Sequence, residues 1–184
     1  RRFMEKAVLP NMTDEFEKKR ATDELPLIGA GKMITTTEPK FVPSRPAEIK
    51  AGDNLKFKMR LIDCVGYIID GAEGILDEDE PRMVSTPWSD KPMPLAAAAL
   101  TGTNKVINDH STIAIAMTTD GTITDIPREN YVEAEEDIVN TLKKSGKPFV
   151  MVLNSATPYS PETDSLRAEL EKKYEVPVKT ADCA

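Results

Sequence analysis

The spacing of apolar residues along the chain alternates between a helical period and short apolar runs. The helical period is clearest at 129–145, where apolar side chains fall on one side of a helix. Acidic residues fill the early turns of that segment, two lysines lie in its last turn, and Gly146 follows, as the helix dipole and a glycine stop favour. The apolar runs at 112–118 and 149–153 have the length of buried strands. The alternation is typical of an α/β fold.

The same reasoning predicts the remaining elements of the chain. The predicted helices are 14–24, 94–109, 129–145 and 162–173, and the predicted strands are 47–51, 54–62, 112–118, 149–153 and 176–180. The stretch 67–93 contains several glycines and prolines and an acidic run, so we expect a long functional or mobile loop there. These elements predict a mostly parallel sheet with helices on both faces.

Composition narrows the class of protein. A chain of 184 residues with 40% hydrophobic content suits one globular domain with a substantial core. A net charge of −7 argues against nucleic acid as a partner, because binding to phosphates needs clustered lysines and arginines. A basic membrane-binding patch is absent, and no apolar run approaches the ~20 residues that span a bilayer.

The amino-terminal sequence and the cysteines bear on cellular location. The first residues lack the apolar core of a signal peptide, so the chain is expected in the cytoplasm. Cys64 lies just beyond the carboxyl end of the predicted strand 54–62, and Cys183 lies beside the last residue. Two such cysteines predict neither a disulfide framework nor a metal site.

The first candidate for chemistry is the D-x-x-G arrangement formed by Asp63 and Gly66. In P-loop nucleotide hydrolases such an aspartate ends a strand and holds the water shell of Mg²⁺, while the glycine N–H approaches a γ-phosphate. Glycine suits this position because it has no Cβ to block the approach. The alternative is an ordinary turn, since Asp-x-x-Gly also ends many strands that have no catalytic role.

Further candidates follow the ends of other predicted strands. Parallel strands place ligand sites beyond their carboxyl ends, so the residues after 62, 118 and 153 are expected along one edge of the sheet. These residues are Asp63, Gly66, Thr118, Thr119, Asp120, Gly121, Asn154 and Ser155. The alternative interpretation is that Thr118 to Gly121 form only a good turn.

Thr36 and Thr37 lie in a loop before the first predicted strand. A nucleotide switch would present a threonine hydroxyl from such a loop to Mg²⁺ and the γ-phosphate. The alternative is that they belong to β structure, since threonine favours strands.

A glycine-rich phosphate loop of the form G-x-x-x-x-G-K-[ST] is not found in the sequence. The nearest approximation is GAGKM at 29–33, whose leading glycine would fall at Pro26. Proline has no backbone N–H for a phosphate, and Met33 has no hydroxyl for a metal. The opening residues are consistent with the continuation of a helix that such a loop would begin.

A set of ordered motifs resembles one known family over essentially the whole chain. The motifs are VLPN at 8–11, DELP at 23–26, TTEPKFVP at 36–43, DCVGY at 63–67, PRM at 81–83, TPW at 86–88, HSTI at 110–113, TTDGTI at 118–123, EAEE at 133–136 and GKPF at 146–149. They resemble the ATPase domain of stage IV sporulation protein A, a family that builds the basement of the spore coat.

The resemblance implies a P-loop NTPase-like fold related to the translation-factor (TRAFAC) GTPases, using ATP and Mg²⁺. Because the phosphate loop of that family lies immediately before the matching position, the chain is expected to be an amino-terminally truncated ATPase domain. By resemblance, Thr36 and Thr37 are the sensor threonines, Asp63 ends the Walker B strand and Gly66 contacts the γ-phosphate. Thr37 and Asp63 are the candidate metal ligands.

The resemblance also implies partners and a location. Expected partners are further copies of the protein in a polymer, other spore coat proteins and a small amphipathic membrane-bound peptide. The expected location is the mother-cell cytoplasm at the outer surface of the forespore. Two alternatives stay open, namely a non-catalytic coat scaffold and a GTPase of the ribosome-assembly type.

The choice of base can be argued from the residues after strand 149–153. Guanine-specific relatives carry N-K-x-D there, and the aspartate accepts two hydrogen bonds from guanine. Asn154 and Ser155 are the candidate nucleotide-binding residues here, but the fourth position is Thr157, which has no carboxylate. A preference for guanine therefore loses its physical basis, and adenine is compatible.

Overall fold

A computed structural model describes residues 3–25 and 39–183, which form two compact units. One unit comprises residues 3–25 and 39–63, and the other contains residues 64–183. The expectation that residues 1–184 form a single domain stays a prediction. Within the described residues, no helix has the length and apolar character needed to cross a membrane.

The described residues contain four α-helices and nine strands. The helices are α1 (Glu15–Asp23), α2 (Leu95–Lys105), α3 (Val132–Ser145) and α4 (Pro161–Tyr174). The strands are β1 (Lys40–Ala51), β2 (Leu55–Asp63), β3 (Leu76–Asp77), β4 (Glu80–Pro81), β5 (Met83–Thr86), β6 (Ser89–Pro94), β7 (Ala114–Thr119), β8 (Phe149–Asn154) and β9 (Val178–Ala181). Short 3₁₀ turns lie at Leu9–Asn11 and Arg128–Tyr131, and π-helical turns at Met4–Val8 and Val106–His110.

In the first unit, β1 and β2 form an antiparallel two-stranded sheet. Asp14 caps α1 by accepting a hydrogen bond of 2.8 Å from the backbone N–H of Glu17, so the helix predicted at 14–24 begins one residue later. The apolar core of this unit is formed by Met4, Val8, Leu9, Met12, Ala21, Leu25, Val42, Ala47 and Ile49.

The structure corrects two predictions about this hairpin. The strand predicted at 47–51 begins at Lys40, and its pairing shifts between Val42 and Ala47, which accommodates two prolines that have no N–H to donate. Strand β2 was expected in the parallel sheet, but it pairs antiparallel with β1 in a separate sheet. The expectation of one common sheet edge for all three strand ends is therefore wrong for β2.

In the second unit, β7, β8 and β9 form a parallel sheet with β8 in the centre. Val139 of α3 and Leu170 of α4 pack with Met151, Leu153 and Val178 of the sheet in one buried cluster. The chain was predicted to be α/β as a whole, and this parallel sheet with its helices confirms that class for the carboxyl-terminal half. The described residues contain four sheets, and the other three are antiparallel. Less of the β structure is therefore parallel than expected.

The region 67–93, which was expected to be a long functional or mobile loop, contains regular structure. It contains two small antiparallel hairpins, β3–β4 and β5–β6. Glu78 and Asp79 of the acidic run form the first turn with φ of 46° and 68°, a left-handed conformation that aspartate tolerates better than most residues. The hairpins are short, and their prolines lie in two-stranded sheets where not every N–H is needed for pairing.

Local sequence explains why the last two long helices begin and end where they do. Ser160 accepts a hydrogen bond from the Thr163 N–H at 3.2 Å, and Pro161 occupies the first helical position of α4. Helix α3 ends at Gly146, whose φ is 68°. Both helices agree with the predicted ranges to within three residues, which confirms that the helical period was interpreted correctly.

Candidate functional site

Asp63 is the last residue of β2, and its side chain is exposed. Lys40 is its partner on β1 in the antiparallel register. The strand, which was predicted to end at residue 62, extends to Asp63 and leaves this residue exposed to solvent at its carboxyl end. An exposed carboxylate at a strand end is a suitable oxygen ligand for a hard cation such as Mg²⁺.

Gly66 has a φ of 81°, so the backbone there takes the left-handed conformation that glycine permits. Its N–H donates a hydrogen bond of 3.2 Å to the hydroxyl oxygen of Thr103 on α2. A Cβ added at Gly66 would meet nothing within 4 Å, so the space beside this residue is open. Both the conformation and the open space suit a close approach by a ligand.

The carboxyl ends of β7 and β8 lie side by side. Thr119 is in register with Asn154, and the Asp120 N–H donates to the Asn154 carbonyl at 3.3 Å. The expectation that the residues after 118 and 153 share one edge is therefore confirmed. The two loops that follow are joined directly, because the Thr122 hydroxyl accepts a hydrogen bond of 2.9 Å from the Ala156 N–H.

Asp120 organises this edge through its carboxylate. It accepts hydrogen bonds from the hydroxyl and N–H of Thr122, at 2.6 and 3.0 Å, and Thr163 Oγ1 lies 3.4 Å away. Burial alone would raise the pKa of the Asp120 carboxyl, but hydrogen bonds from Ser155, Thr122 and Thr163 outweigh it and hold the pKa below its ordinary value. The Asp120 side chain is therefore ionised and holds the two loops together through its hydrogen bonds.

Asn154 and Ser155 both make contacts that hold the chain. The Asn154 side-chain oxygen accepts a hydrogen bond of 2.8 Å from the Cys183 N–H. Ser155 is fully buried, and its hydroxyl lies 3.1 Å from that of Thr163. Both residues stabilise the edge beyond β8, and their contact with a nucleotide stays a prediction. Thr36 and Thr37 lie outside the described residues, so their assignment also stays a prediction.

A buried hydrogen-bonded cluster around Glu135 was not predicted from the sequence. Its carboxylate accepts from Thr118 Oγ1 at 2.6 Å, from Arg128 Nη2 at 2.7 Å and from Tyr174 Oη at 2.8 Å. The Glu135 side chain is 1% exposed. The cluster links β7, the 3₁₀ turn Arg128–Tyr131, α3 and α4. It therefore holds together the elements that flank the strand-end loops.

One signal in the sequence could have found this cluster. Glu135 lies four residues before Val139, which is buried, and seven before Leu142, so it falls on the apolar side of α3. The acidic residues of the first turns were all interpreted as complements to the helix dipole. A carboxylate on a buried side of a helix requires a cation or hydroxyl donors, and that requirement was overlooked.

The Tyr174 phenol provides a direct spectroscopic test of this cluster. Burial, together with its hydrogen bond to the Glu135 carboxylate, raises the pKa of Tyr174 from 10.0 to about 12. Because the folded protein then holds this proton more tightly than the unfolded chain, this contribution to stability is present below pH 10 and is lost as the pH rises to about 12.

We therefore expect that the absorbance titration of wild type minus that of Tyr174→Phe shows one phenol ionising near pH 12. The other tyrosines cancel in the difference spectrum, so the variant isolates Tyr174. A difference curve with its midpoint near pH 10 would contradict the buried hydrogen bond to Glu135.

Comparison with known proteins places the chain in a family. The model of the family described as stage IV sporulation protein A, ATPase domain, matches residues 1–184. Stage IV sporulation protein A from Bacillus subtilis (strain 168) is 53% identical over 178 residues, and that from Clostridioides difficile (strain 630) is 54% identical. Each match covers 97% of this chain and 36% of the relative, so the chain spans about a third of the length of these relatives.

No solved structure matches the chain. The family model, in contrast, matches every residue of it, and a third relative from Bacillus anthracis is 51% identical over the same share of the chain. The chain therefore belongs to the ATPase-domain family of stage IV sporulation protein A.

Proposed function

We propose that this chain is the switch-bearing and metal-binding part of an ATPase that assembles the basement layer of the spore coat. The observation that carries the proposal is the match of all 184 residues to the ATPase domain of stage IV sporulation protein A. The proposed fold is P-loop NTPase-like, and the proposed location is the mother-cell side of the forespore surface. Proposed partners are further copies of the protein, other coat proteins and a small amphipathic membrane-bound peptide.

The Asp63 carboxylate fits a magnesium ion bound through water. Mg²⁺ usually takes one or two carboxylates, keeps several waters and shares ligands with a phosphate group. Asp63 provides one exposed carboxylate, and the described residues contain no cluster of three acidic, histidine or cysteine side chains that would form a cage of protein ligands. Asp63, with Thr37 by family resemblance, would hold the ion, which supplies positive charge to the phosphate oxygens.

Two features of the chain would act on the reacting phosphate. Gly66 offers a backbone N–H beside open space, which suits a hydrogen bond to a γ-phosphate oxygen. Thr36 or Thr37 would sense the same group through a hydroxyl. Phosphoryl transfer depends mainly on positioning and on stabilising charge, so these donors and one metal-holding carboxylate suffice beside a phosphate-binding loop.

A second candidate function is a coat scaffold that does not hydrolyse nucleotide. The observation that favours it is the structural use of Asn154 and Ser155, whose polar side-chain atoms contact other parts of the chain. In that case the shape of the strand-end loops would serve only assembly. The two functions differ in whether the Asp63 carboxylate is needed, since a scaffold has no use for a metal ligand.

Nucleotide competition tests the choice of base. Thr157 lies exposed in the turn after β8 and cannot accept the paired hydrogen bonds that guanine donates. We expect ATP to displace a fluorescent ATP analogue from the full-length protein at a concentration about tenfold or more below that required of GTP. Thr157→Asp restores a carboxylate at this position and should narrow the difference. Stronger displacement by GTP in the wild-type protein would favour a GTPase.

A further inference from the structure

The segment after Asp63 begins the second unit and is bonded to the rest of that unit at three points. We call residues 64–71 the tethered segment. The Gly66 N–H donates to the Thr103 hydroxyl on α2, and the Tyr67 hydroxyl bonds that of Thr141 on α3 at 2.7 Å. The Asp70 carbonyl accepts from the Asn130 side-chain amide at 3.1 Å. Three different elements therefore hold a segment that has no regular secondary structure at residues 64–69.

The first of these contacts uses the group that the proposed function assigns to the γ-phosphate. A backbone amide carries one hydrogen and makes one strong hydrogen bond. The Thr103 hydroxyl and a phosphate oxygen are therefore competing acceptors for the Gly66 N–H. Thr103 is 2% exposed, so water does not readily replace it as the acceptor.

We propose that Thr103 is a positioning residue that competes with the γ-phosphate for the Gly66 N–H and thereby sets the discrimination between ATP and ADP. The inference rests on the proposed function, because it assumes that Gly66 contacts the γ-phosphate. ADP has no γ-phosphate and leaves the bond between Gly66 and Thr103 intact. ATP gains the Gly66 contact only when that bond breaks, so its measured affinity is reduced by the stability of the bond.

The Gly66 N–H should bond a γ-phosphate oxygen in preference to the Thr103 hydroxyl, but breaking the bond to Thr103 still lowers the measured affinity for ATP. Hydrogen bonds to a charged acceptor are roughly twice as strong as those between neutral groups, so a bound γ-phosphate wins the competition. The contacts at Tyr67 and Asp70 do not involve the Gly66 N–H and can persist while it turns to the phosphate. Gly66 is thus the movable point of the tethered segment, and the two contacts that follow it stay in place.

The inference predicts that Thr103→Val binds ATP more tightly without binding ADP more tightly. Valine keeps the branched shape at a buried position but has no acceptor for the Gly66 N–H. In the full-length protein with Mg²⁺, the ratio of the dissociation constant of ADP to that of the β,γ-imido analogue of ATP should rise by about two- to tenfold. Displacement of a fluorescent ATP analogue measures both constants.

Two variants serve as matched controls. Thr103→Ser keeps the hydroxyl and should leave the ratio within about twofold of wild type, a margin below the value of a typical hydrogen bond. Tyr67→Phe breaks the neighbouring tether to Thr141 but leaves the Gly66 N–H untouched, so it should also leave the ratio unchanged. Thr103→Ala removes the hydroxyl with less bulk and should reproduce the effect of valine if the valine variant is poorly folded.

Hydrogen exchange at Gly66 gives a readout that does not depend on nucleotide. Without nucleotide, the Gly66 amide should exchange faster in Thr103→Val than in wild type, because its acceptor is removed. Equal exchange rates, or an unchanged or lower ratio of the two dissociation constants, would overturn the role of Thr103. Wild-type protein that binds neither nucleotide would instead overturn the proposed function, and this inference with it.

Discussion

Asp63→Ala should reduce phosphate release from Mg-ATP by the full-length protein about a hundredfold or more. The carboxylate stands exposed at the end of β2, where it would hold the ion that neutralises the phosphate oxygens. Removing one group that stabilises charge in the transition state, such as an oxyanion-hole donor, typically costs about two to three orders of magnitude in turnover. The measurement is the rate of phosphate release at saturating Mg-ATP.

Asp53→Ala is the matched control for this variant. Asp53 is also exposed and lies in the turn between β1 and β2, so its removal changes the net charge equally but not the strand end. Its turnover should equal that of wild type.

Polymer formation, measured by sedimentation, distinguishes the two candidate functions. Assembly retained by an Asp63→Ala protein that no longer hydrolyses ATP would favour the scaffold.

Glu135→Ala should destabilise the second unit by about 3–5 kcal/mol. The substitution leaves the Arg128 guanidinium without its carboxylate in a largely buried position, and it removes the acceptor of the Thr118 and Tyr174 hydroxyls. Breaking one side of a buried ion pair costs more than removing both, because an uncompensated charge remains. Hydrogen exchange of peptides from β7, α3 and α4 measures the loss in the full-length protein.

Peptides from β1 and β2 provide an internal control, because these strands belong to the first unit. Their exchange should be much less affected. The double variant Glu135→Ala and Arg128→Ala should lose less stability than the sum of the two single variants, since the pair is removed together. Additive losses, or a loss below about 1 kcal/mol for Glu135→Ala, would show that the buried ion pair does not hold these elements together.

The sequence was sufficient to predict the helices of the second unit and the three strands of its parallel sheet. Helix α3 combined a one-sided apolar pattern with lysines at its end and Gly146 beyond it, and the strands β7 and β8 were short apolar runs. These signals are local, so they survive in any tertiary context. The parallel pairing of β7 and β8 followed from the helix between them.

The first unit was predicted less well because prolines interrupt the apolar pattern of its first strand. Pro43 and Pro46 concealed the first half of β1, although a strand of a two-stranded sheet tolerates prolines where the pairing shifts. The pairing of β2 depends on contacts with a distant segment rather than on its own residues. The two hairpins after residue 67, which belong to the second unit, were interpreted as a loop because their strands of 2, 2, 4 and 6 residues are short and rich in prolines and charges.

Some residues of the candidate site could be identified from the sequence, and others could not. Asp63 and Gly66 were identifiable because a short motif carries a chemical requirement, and Asp120 because it directly follows a strand. The bond between Gly66 and Thr103 joins residues 37 positions apart, and nothing local marks Thr103. The cluster at Glu135 also depends on contacts across four elements, although its position beside Val139 on α3 gave one signal that could have been used.

Phosphate release from Mg-ATP shows whether this chain is part of an ATP-hydrolysing protein. The full-length protein should release phosphate continuously, while Asp63→Ala should be close to the blank without protein. Residues 1–184 alone, tested beside them, should be inactive or nearly so, since the sequence contains no phosphate-binding glycine loop. If wild type releases phosphate no faster than Asp63→Ala, the protein is not an ATPase that depends on this carboxylate, and the coat scaffold is favoured.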